Sequence, residues 1–274
     1  MGEPKKIKVI NRLDVPPDLI GDFRNSLKEH FCQGSLERDE AIGPDLSLIL
    51  EEYHLARILR RAKDSREAMK IFIEIIQWRR KFKPSDINPF AICAEAFQLG
   101  VIYFHGKTRG GAHILIIRGA LIRKPRDSEE EDACRKYFIY FIEYAAMQIR
   151  GNITVLLDCH KTRIENLVIR ELFQHMAYLK TMIDAFKTHY VDALDHVLVF
   201  DLPIVLNACW KTVRKMLPSE GADRTKIVNK KSVLKYISQE NLPRLMGGTS
   251  QFVYTFDPGS GLPPGILHDL SAKA

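Results

Sequence analysis

The 274-residue sequence has little with which to build a metal centre or a disulfide framework. Its five cysteines (32, 93, 134, 159 and 209) include no CxxC pair, and none of its nine histidines stands three or four residues from another. Zinc-finger and HExxH chemistry are therefore not expected, and the thiols read as reduced and cytosolic. No metal and no organic cofactor is anticipated. Long apolar runs are missing too: HILIIRGALI is broken by Arg118 and falls far short of the ~20 residues of a membrane span. The opening MGEPKKIKVI lacks the hydrophobic stretch of a secretory signal, and Lys6 stands where N-myristoylation wants Ser or Thr. The expectation is a cytoplasmic chain whose membrane contact is peripheral and transient.

What the sequence does have is apolar bulk and a basic balance. Nearly half of the residues are apolar, enough for a sizeable core. Lys and Arg outnumber acids by 41 to 34, a formal charge of +7 that favours anionic partners such as phospholipid headgroups. The basic stretches RRAK (60–63), WRRKFK (78–83) and NKKSVLK (229–235) carry no interleaved exposed aromatics in a reader pattern, so nucleic acid is not expected.

Along the chain, residues 1–18 read as a basic tail and 258–274 as a Gly/Pro-rich tail. Between them, 19–90 has helical periodicity throughout: DFRNSLKEHF, then LSLILEEYHLARILRRA, then a helix opened by a capping box of Asp64 and Glu67. From about residue 91 to 257 the pattern changes. Short apolar runs at 101–105, 113–118, 153–158, 196–201 and 226–228 alternate with helical segments near 128–149, 164–188 and 204–217. The first two runs are joined by GKTRGG, a hairpin connection, and the second helix set starts with a capping box from Ser128 to Glu131. The fold class is therefore α/β: an all-α lobe, then a mixed, mainly parallel sheet covered by helices.

Several motifs suggest chemistry without the spacing it needs. FHGKT ends like a phosphate loop, yet Gly100 and Gly106 are separated by five residues of strand rather than four of loop. In LLDCHK, Cys159 and His160 are adjacent, and adjacent strand residues point to opposite faces, so a thiol nucleophile pair is disfavoured. His105 and His113 read either as facing each other across the hairpin or, more commonly for such residues, as half-exposed strand positions. Helix 128–149 carries Tyr137, Phe138, Tyr140, Phe141 and Tyr144, which read either as core or as the wall of a large apolar cavity.

Segment 204–217 is greasier than a surface helix requires. Val205, Leu206, Ala208, Cys209, Trp210, Val213, Met216 and Leu217 fill an arc of roughly 200° on a helical wheel, about twice the usual stripe. The remaining arc is Asn207, Lys211, Arg214 and Lys215. Such a helix needs apolar partners on two sides.

The order of motifs accounts for this. LARILRRAK, WRRKF, IYFHGKTRGG, VLLDCH, VLVFDLP, a helix with W-x-x-V-x-x-x-L, TKIV and finally ENLPRLMGGT follow one another between Leu55 and Tyr254. Together they resemble the CRAL-TRIO lipid-binding family, with Glu240–Thr249 the most specific stretch. Within that family, LGVIYFHG and VLVFDLP are most similar to a branch whose lipid-binding domain continues into a major-sperm-protein domain and a membrane anchor. This chain then reads as a single-domain relative or as the lipid-binding part of such a protein.

The resemblance implies a non-catalytic protein enclosing a phospholipid or similar amphiphile under a lid helix, here 204–217. Val205, Leu206, Cys209, Trp210, Val213, Met216 and Leu217 would face the acyl chains or enter a bilayer. Lys211, Arg214 and Lys215 would meet anionic headgroups at about 1 kcal/mol each. Tyr137, Phe138, Phe141 and Tyr144 are the candidate pocket wall. Members that bind phosphatidylinositol use positions that fall here on Asp192, on Lys226 and on Ala62 beside Arg61. The small hydroxyl residues that some members use for choline fall on Arg163 and Glu165, which disfavours phosphatidylcholine. The alternative is a CRAL-TRIO module that transfers nothing and recruits a partner or docks on a membrane or lipid-droplet surface.

Overall fold

The computed structural model describes residues 15–32, 46, 47, 49–92, 94–123, 125–160, 181–203, 210, 211, 214, 215 and 219–256. The chain divides into two compact units, Met1–Arg80 and Lys81–Ala274.

The first unit is helical. Helices α1 (Pro17–Cys32), α2 (Glu52–Arg61) and α3 (Ser65–Phe82) bury Ile20, Phe23 and Leu27, then Leu55 and Ile58, then Ala68, Phe72, Ile75 and Ile76, each set at helical spacing. Phe23 meets Phe72 edge to face, with ring centroids 6.4 Å apart. Asp64 caps α3 as expected: the Glu67 amide donates to Asp64 Oδ1 at 2.8 Å, and Glu67 Oε2 accepts from the Lys63 amide at 2.7 Å. The run 46–62 is not one continuous helix. Glu51 is extended (φ −64°, ψ 147°), so α2 starts anew at Glu52.

The second unit opens with two short helices, α4 (Pro89–Ile92) and α5 (Ala94–Leu99). Its five-stranded sheet has the order β1-β2-β3-β4-β5, from β1 (Ile102–Lys107), β2 (His113–Arg118), β3 (Ile153–Asp158), β4 (Leu194–Phe200) and β5 (Thr225–Val228). β1 and β2 form the antiparallel hairpin, and the other three pairings are parallel. The mixed sheet expected from the sequence is thus present. His105 and His113, however, lie on opposite faces and both are buried: the register Phe104↔Leu115 already sets His105 level with Ile114 of the cap face, whereas His113 alternates with Leu115 and Ile117 on the crossover face.

Between β2 and β3 runs α6 (Ser128–Glu143), continued by a π-helical turn, Tyr144–Ile149. Its N-cap is Asp127 rather than Ser128. Asp127 is extended (φ −149°) and its carboxylate accepts the Glu130 amide at 2.8 Å, whereas Ser128 is already helical. A second π turn, Ala185–His189, precedes β4, and α7 (Ser219–Arg224) precedes β5. Short 3₁₀ turns at Val233–Lys235, Gln239–Asn241 and Arg244–Met246 finish the unit.

The sheet order dictates which side is covered by what. Each step from β2 to β5 moves to the next neighbour in one direction, and right-handed crossovers made in one direction all fall on one face. α6 is on that face: Phe141 packs on Phe104 of β1, centroids 5.9 Å apart. The Tyr190 hydroxyl donates to Glu143 Oε2 at 2.8 Å, which ties the end of the next crossover to α6. The opposite face carries Tyr103, Ile114, Ile116, Leu156, Leu198, Phe200 and Val228 under Val233, Ile237, Leu242 and Met246 of the 3₁₀ turns. This cap face is tightly closed. A Cβ on Gly248 would stand 1.8 Å from the Leu242 carbonyl oxygen, so the GG of LPRLMGG is a steric requirement.

Candidate lipid-binding site

Strand register places a row of apolar side chains across the crossover face. Ile117 pairs with Leu157, Leu157 with Val199 and Val199 with Ile227, so four parallel neighbours contribute one residue each at the same level. Ile117 and Val199 are buried, Leu157 is half-buried, and Ile227 on the edge strand is 49% exposed. A second row, Leu115, Val155 and Val197, lies one pleat below, again buried at the centre and half-buried toward the edge. The first row is at the carboxyl half of the strands, where ligand sites of open α/β sheets lie. These floor residues were not singled out from the sequence. The available signal was that HILIIR and ITVLLD are continuously apolar, as strands covered on both faces are.

At the β1 side of this face stands an aromatic cluster. Phe97 of α5 is fully buried and meets Tyr137 edge to face at 4.7 Å, stacks on Phe141 at 5.6 Å and lies 6.0 Å from Tyr140. The Tyr137 hydroxyl donates to the Ala96 carbonyl at 3.3 Å. Tyr137, Phe138 and Phe141 are therefore buried, and Tyr144, at the start of the π turn, is half-buried. Burial raises the phenols of Tyr140, to about 12, and of Tyr144, so both remain neutral.

The strand ends just beyond the row are polar. Asp158 in β3 is in register with Arg118 in β2, and Asp158 Oδ1 accepts the His160 amide at 2.9 Å. His160 Nδ1 lies 2.7 Å from Asp201 Oδ2, which joins the exit of β3 to the exit of β4. Asp201 has φ +53°, a left-handed conformation that Asp tolerates better than most residues. Burial raises the Asp158 carboxyl and pushes the Cys159 thiol up to about 12. A thiol held protonated at neutral pH is a poor nucleophile, and His160 is engaged with Asp201 rather than with sulfur.

Among the headgroup candidates, Asp192 is half-buried in the turn before β4 at φ +55°. Lys226 is exposed in β5 opposite Leu198. Arg224, which the sequence reading passed over, donates from its guanidinium to the Leu194 carbonyl and fixes the start of β5 to the start of β4. Arg61 is exposed in the last turn of α2, in the helical unit. Of segment 204–217, Trp210 is helical and half-buried, and Lys211, Arg214 and Lys215 are helical and exposed. Val205, Leu206, Cys209, Val213, Met216 and Leu217 lie outside the described residues, as do Arg163 and Glu165. No group of metal-ligating side chains and no helix long and apolar enough to cross a membrane occurs among the described residues.

Comparison with known proteins places this architecture. A CRAL-TRIO domain-containing protein of Saccharomyces cerevisiae is 23% identical over 243 residues, covering 78% of this chain and 78% of its own. One from Schizosaccharomyces pombe is 22% identical over 219 residues, covering 74% of this chain and 46% of its own length, so the chain spans about half of that relative. The crystal structure of Sfh5 superposes with a TM-score of 0.64 at 13% identity, over 96% of this chain and 100% of that one, which shows the shared fold. The CRAL/TRIO domain matches residues 97–248, from the fully buried Phe97 to the Gly248 that closes the cap face. The chain belongs to the CRAL/TRIO domain family, whose fold binds lipids.

Proposed function

We propose that this protein holds one phospholipid or similar amphiphile on the crossover face of its sheet and moves or presents it between membranes without covalent chemistry. The single observation behind this reading is the apolar row Ile117–Leu157–Val199–Ile227, which stays incompletely buried at the carboxyl half of a CRAL/TRIO sheet. An acyl chain laid on it gains about 0.8 kcal/mol per CH₂ removed from water, enough to compete with a bilayer. Segment 204–217 is the lid in this reading: its apolar arc faces the lipid or the membrane, and Lys211, Arg214 and Lys215 face anionic headgroups. The helical lobe spans 19–90 and the lipid-binding domain 91–257 in this assignment.

Asp192 and, on the edge strand β5, Lys226 are the headgroup residues of this reading, and a phosphatidylinositol-type headgroup suits them best; the third candidate, Arg61, belongs to the helical unit. Arg224, which joins the starts of β4 and β5, would hold the backbone that presents Asp192 and Lys226. The likeness of LGVIYFHG and VLVFDLP to the CRAL-TRIO domain of motile sperm domain-containing protein 2 favours a cytoplasmic protein working at membrane surfaces.

Native mass spectrometry of protein purified from eukaryotic cells, followed by lipid identification, tests the proposal. A stoichiometric lipid is expected. A folded protein that stays empty when offered mixed liposomes would instead leave a recruiting module on a CRAL/TRIO scaffold. Lys226→Ala should weaken phosphoinositide binding selectively, and an equal loss for all lipids would reassign it to structure. Replacing Val213 and Leu217 with Asp should abolish transfer; unaltered transfer would remove the lid assignment.

A further inference from the structure

The cap face carries a surface that the lipid-binding reading does not use. Segment 229–250 holds four cations against one acid, Glu240, and that acid is engaged by the Ser238 side chain and by the field of Arg109. Lys230, Lys231, Lys235 and Arg244 are all exposed, and no carboxylate lies within ion-pair distance of them among the described residues. The basic side chains around α6 are different. Arg126 pairs with Glu130 at 3.2 Å, Lys136 with Asp132 at 2.8 Å and Arg123 with Glu95 at 3.1 Å.

Amid these cations Leu245 is 69% exposed, between the exposed Arg244 and the buried Met246. The base beneath it is rigid. Val233, Ile237, Leu242 and Met246 are sealed into the core, and Asn229 Oδ1 accepts the amides of Lys231 at 3.0 Å and Ser232 at 2.9 Å, fixing the lysine turn. That turn abuts the one bearing Leu245: a Cβ on Gly247 would lie 3.2 Å from Lys230 Cβ. Arg109, at the tip of the β1–β2 hairpin, donates to the Leu234 and Tyr236 carbonyls and adds a further exposed cation beside Lys235.

We propose that the turns 229–247 form a second membrane-contact surface, which docks on anionic bilayers with Leu245 entering the headgroup layer among Lys230, Lys231, Lys235 and Arg244. Charge complementarity selects this occupant: cations without carboxylate partners among the described residues and one protruding apolar side chain match an anionic interface. The surface lies on the sheet face opposite the apolar row, and docking there does not require a lipid in the site.

Co-sedimentation with vesicles of phosphatidylcholine alone and of phosphatidylcholine with phosphatidylserine is the test. Wild-type protein should prefer the anionic vesicles, and added salt should weaken that preference. Replacing Lys230 and Lys231 together by Gln should reduce binding to them roughly thirtyfold, from about fivefold per basic residue at such a surface. Leu245→Ser should weaken binding as well, and neither variant should change the melting curve or the amount of co-purifying lipid. Leu245→Trp should add emission that shifts to the blue on anionic vesicles only. Unchanged binding by the charge variants, or no blue shift, overturns the proposal and leaves an acidic protein as the occupant. Reduced lipid content in the charge variants also overturns it, since the residues would then belong to the lipid site.

Discussion

On the cap face the row Ile116, Leu156 and Leu198 is sealed to 0% exposure and ends on β5 at the exposed Lys226, while on the crossover face the next row has Ile117 at 3%, Leu157 half-buried, Val199 at 0% and an apolar residue, Ile227, 49% exposed on β5. On β2, β3 and β4 both rows are aliphatic, so composition does not set the half-exposure of Leu157. What is laid over each row does. The cap comes from residues 233–246, a short contiguous run whose side chains drop directly onto the sheet. On the crossover face, among the described residues, close cover is seen at the β1 side, where Phe97, Tyr137 and Phe141 of the α5–α6 cluster pack together. One face reads as scaffold and the other as a place where a ligand completes the core.

The largest effect that would test this contrast is at the cap. Gly248→Ala puts a methyl group into the Leu242 carbonyl, and a loss of about 3 kcal/mol or more is expected, read as a lowered urea midpoint. Phe200→Ala, also under the cap, should cost about 3–5 kcal/mol, whereas Ile227→Ser should stay within about 0.5 kcal/mol. Equal losses for Phe200 and Ile227 would erase the distinction between the faces. Leu157→Trp should lower bound lipid by filling the floor, with a shift in melting temperature of only a few degrees. Full occupancy in that variant would move the ligand elsewhere.

The smallest effect concerns Asp158, whose carboxyl is raised by burial. A carboxyl raised in the folded state binds its proton more tightly there, so its ionisation opposes folding. That penalty is absent below the ordinary value of 3.8, grows as pH rises through the folded value and is then constant. Asp158→Asn keeps an acceptor for the His160 amide and should be slightly more stable than wild type at neutral pH, with the gap closing in acid. A gap that widens in acid would show that Asp158 is held by its neighbours instead.

The five strands were legible because their apolar runs are bounded by turns, and the structure places them within two residues of the expected limits. Capping was only partly legible. Asp64 has Glu67 three residues on while Ser65 has only Ala68, whereas Asp127 and Ser128 are followed at that spacing by Glu130 and Glu131, and only the backbone conformation of Asp127 decides between them. Whether His105 and His113 face each other was not legible because it depends on the hairpin register, and a difference of one residue reverses the face: Phe104 pairs with Leu115, which leaves His105 and His113 on opposite sides. The floor residues were invisible individually, since in strands apolar on both faces nothing local says which side chain meets the cap and which the crossovers.

By itself the sequence determined the alternation of strands and helices, the basic excess and the motif order that assigns the family, because these depend on neighbours along the chain. Only the tertiary structure decided that Ile117, Leu157, Val199 and Ile227 form one row, that Asp201 reaches His160, and that Leu245 stands among cations without carboxylate partners. Those facts depend on strand order, register and what packs over each face, which bring together residues more than a hundred positions apart.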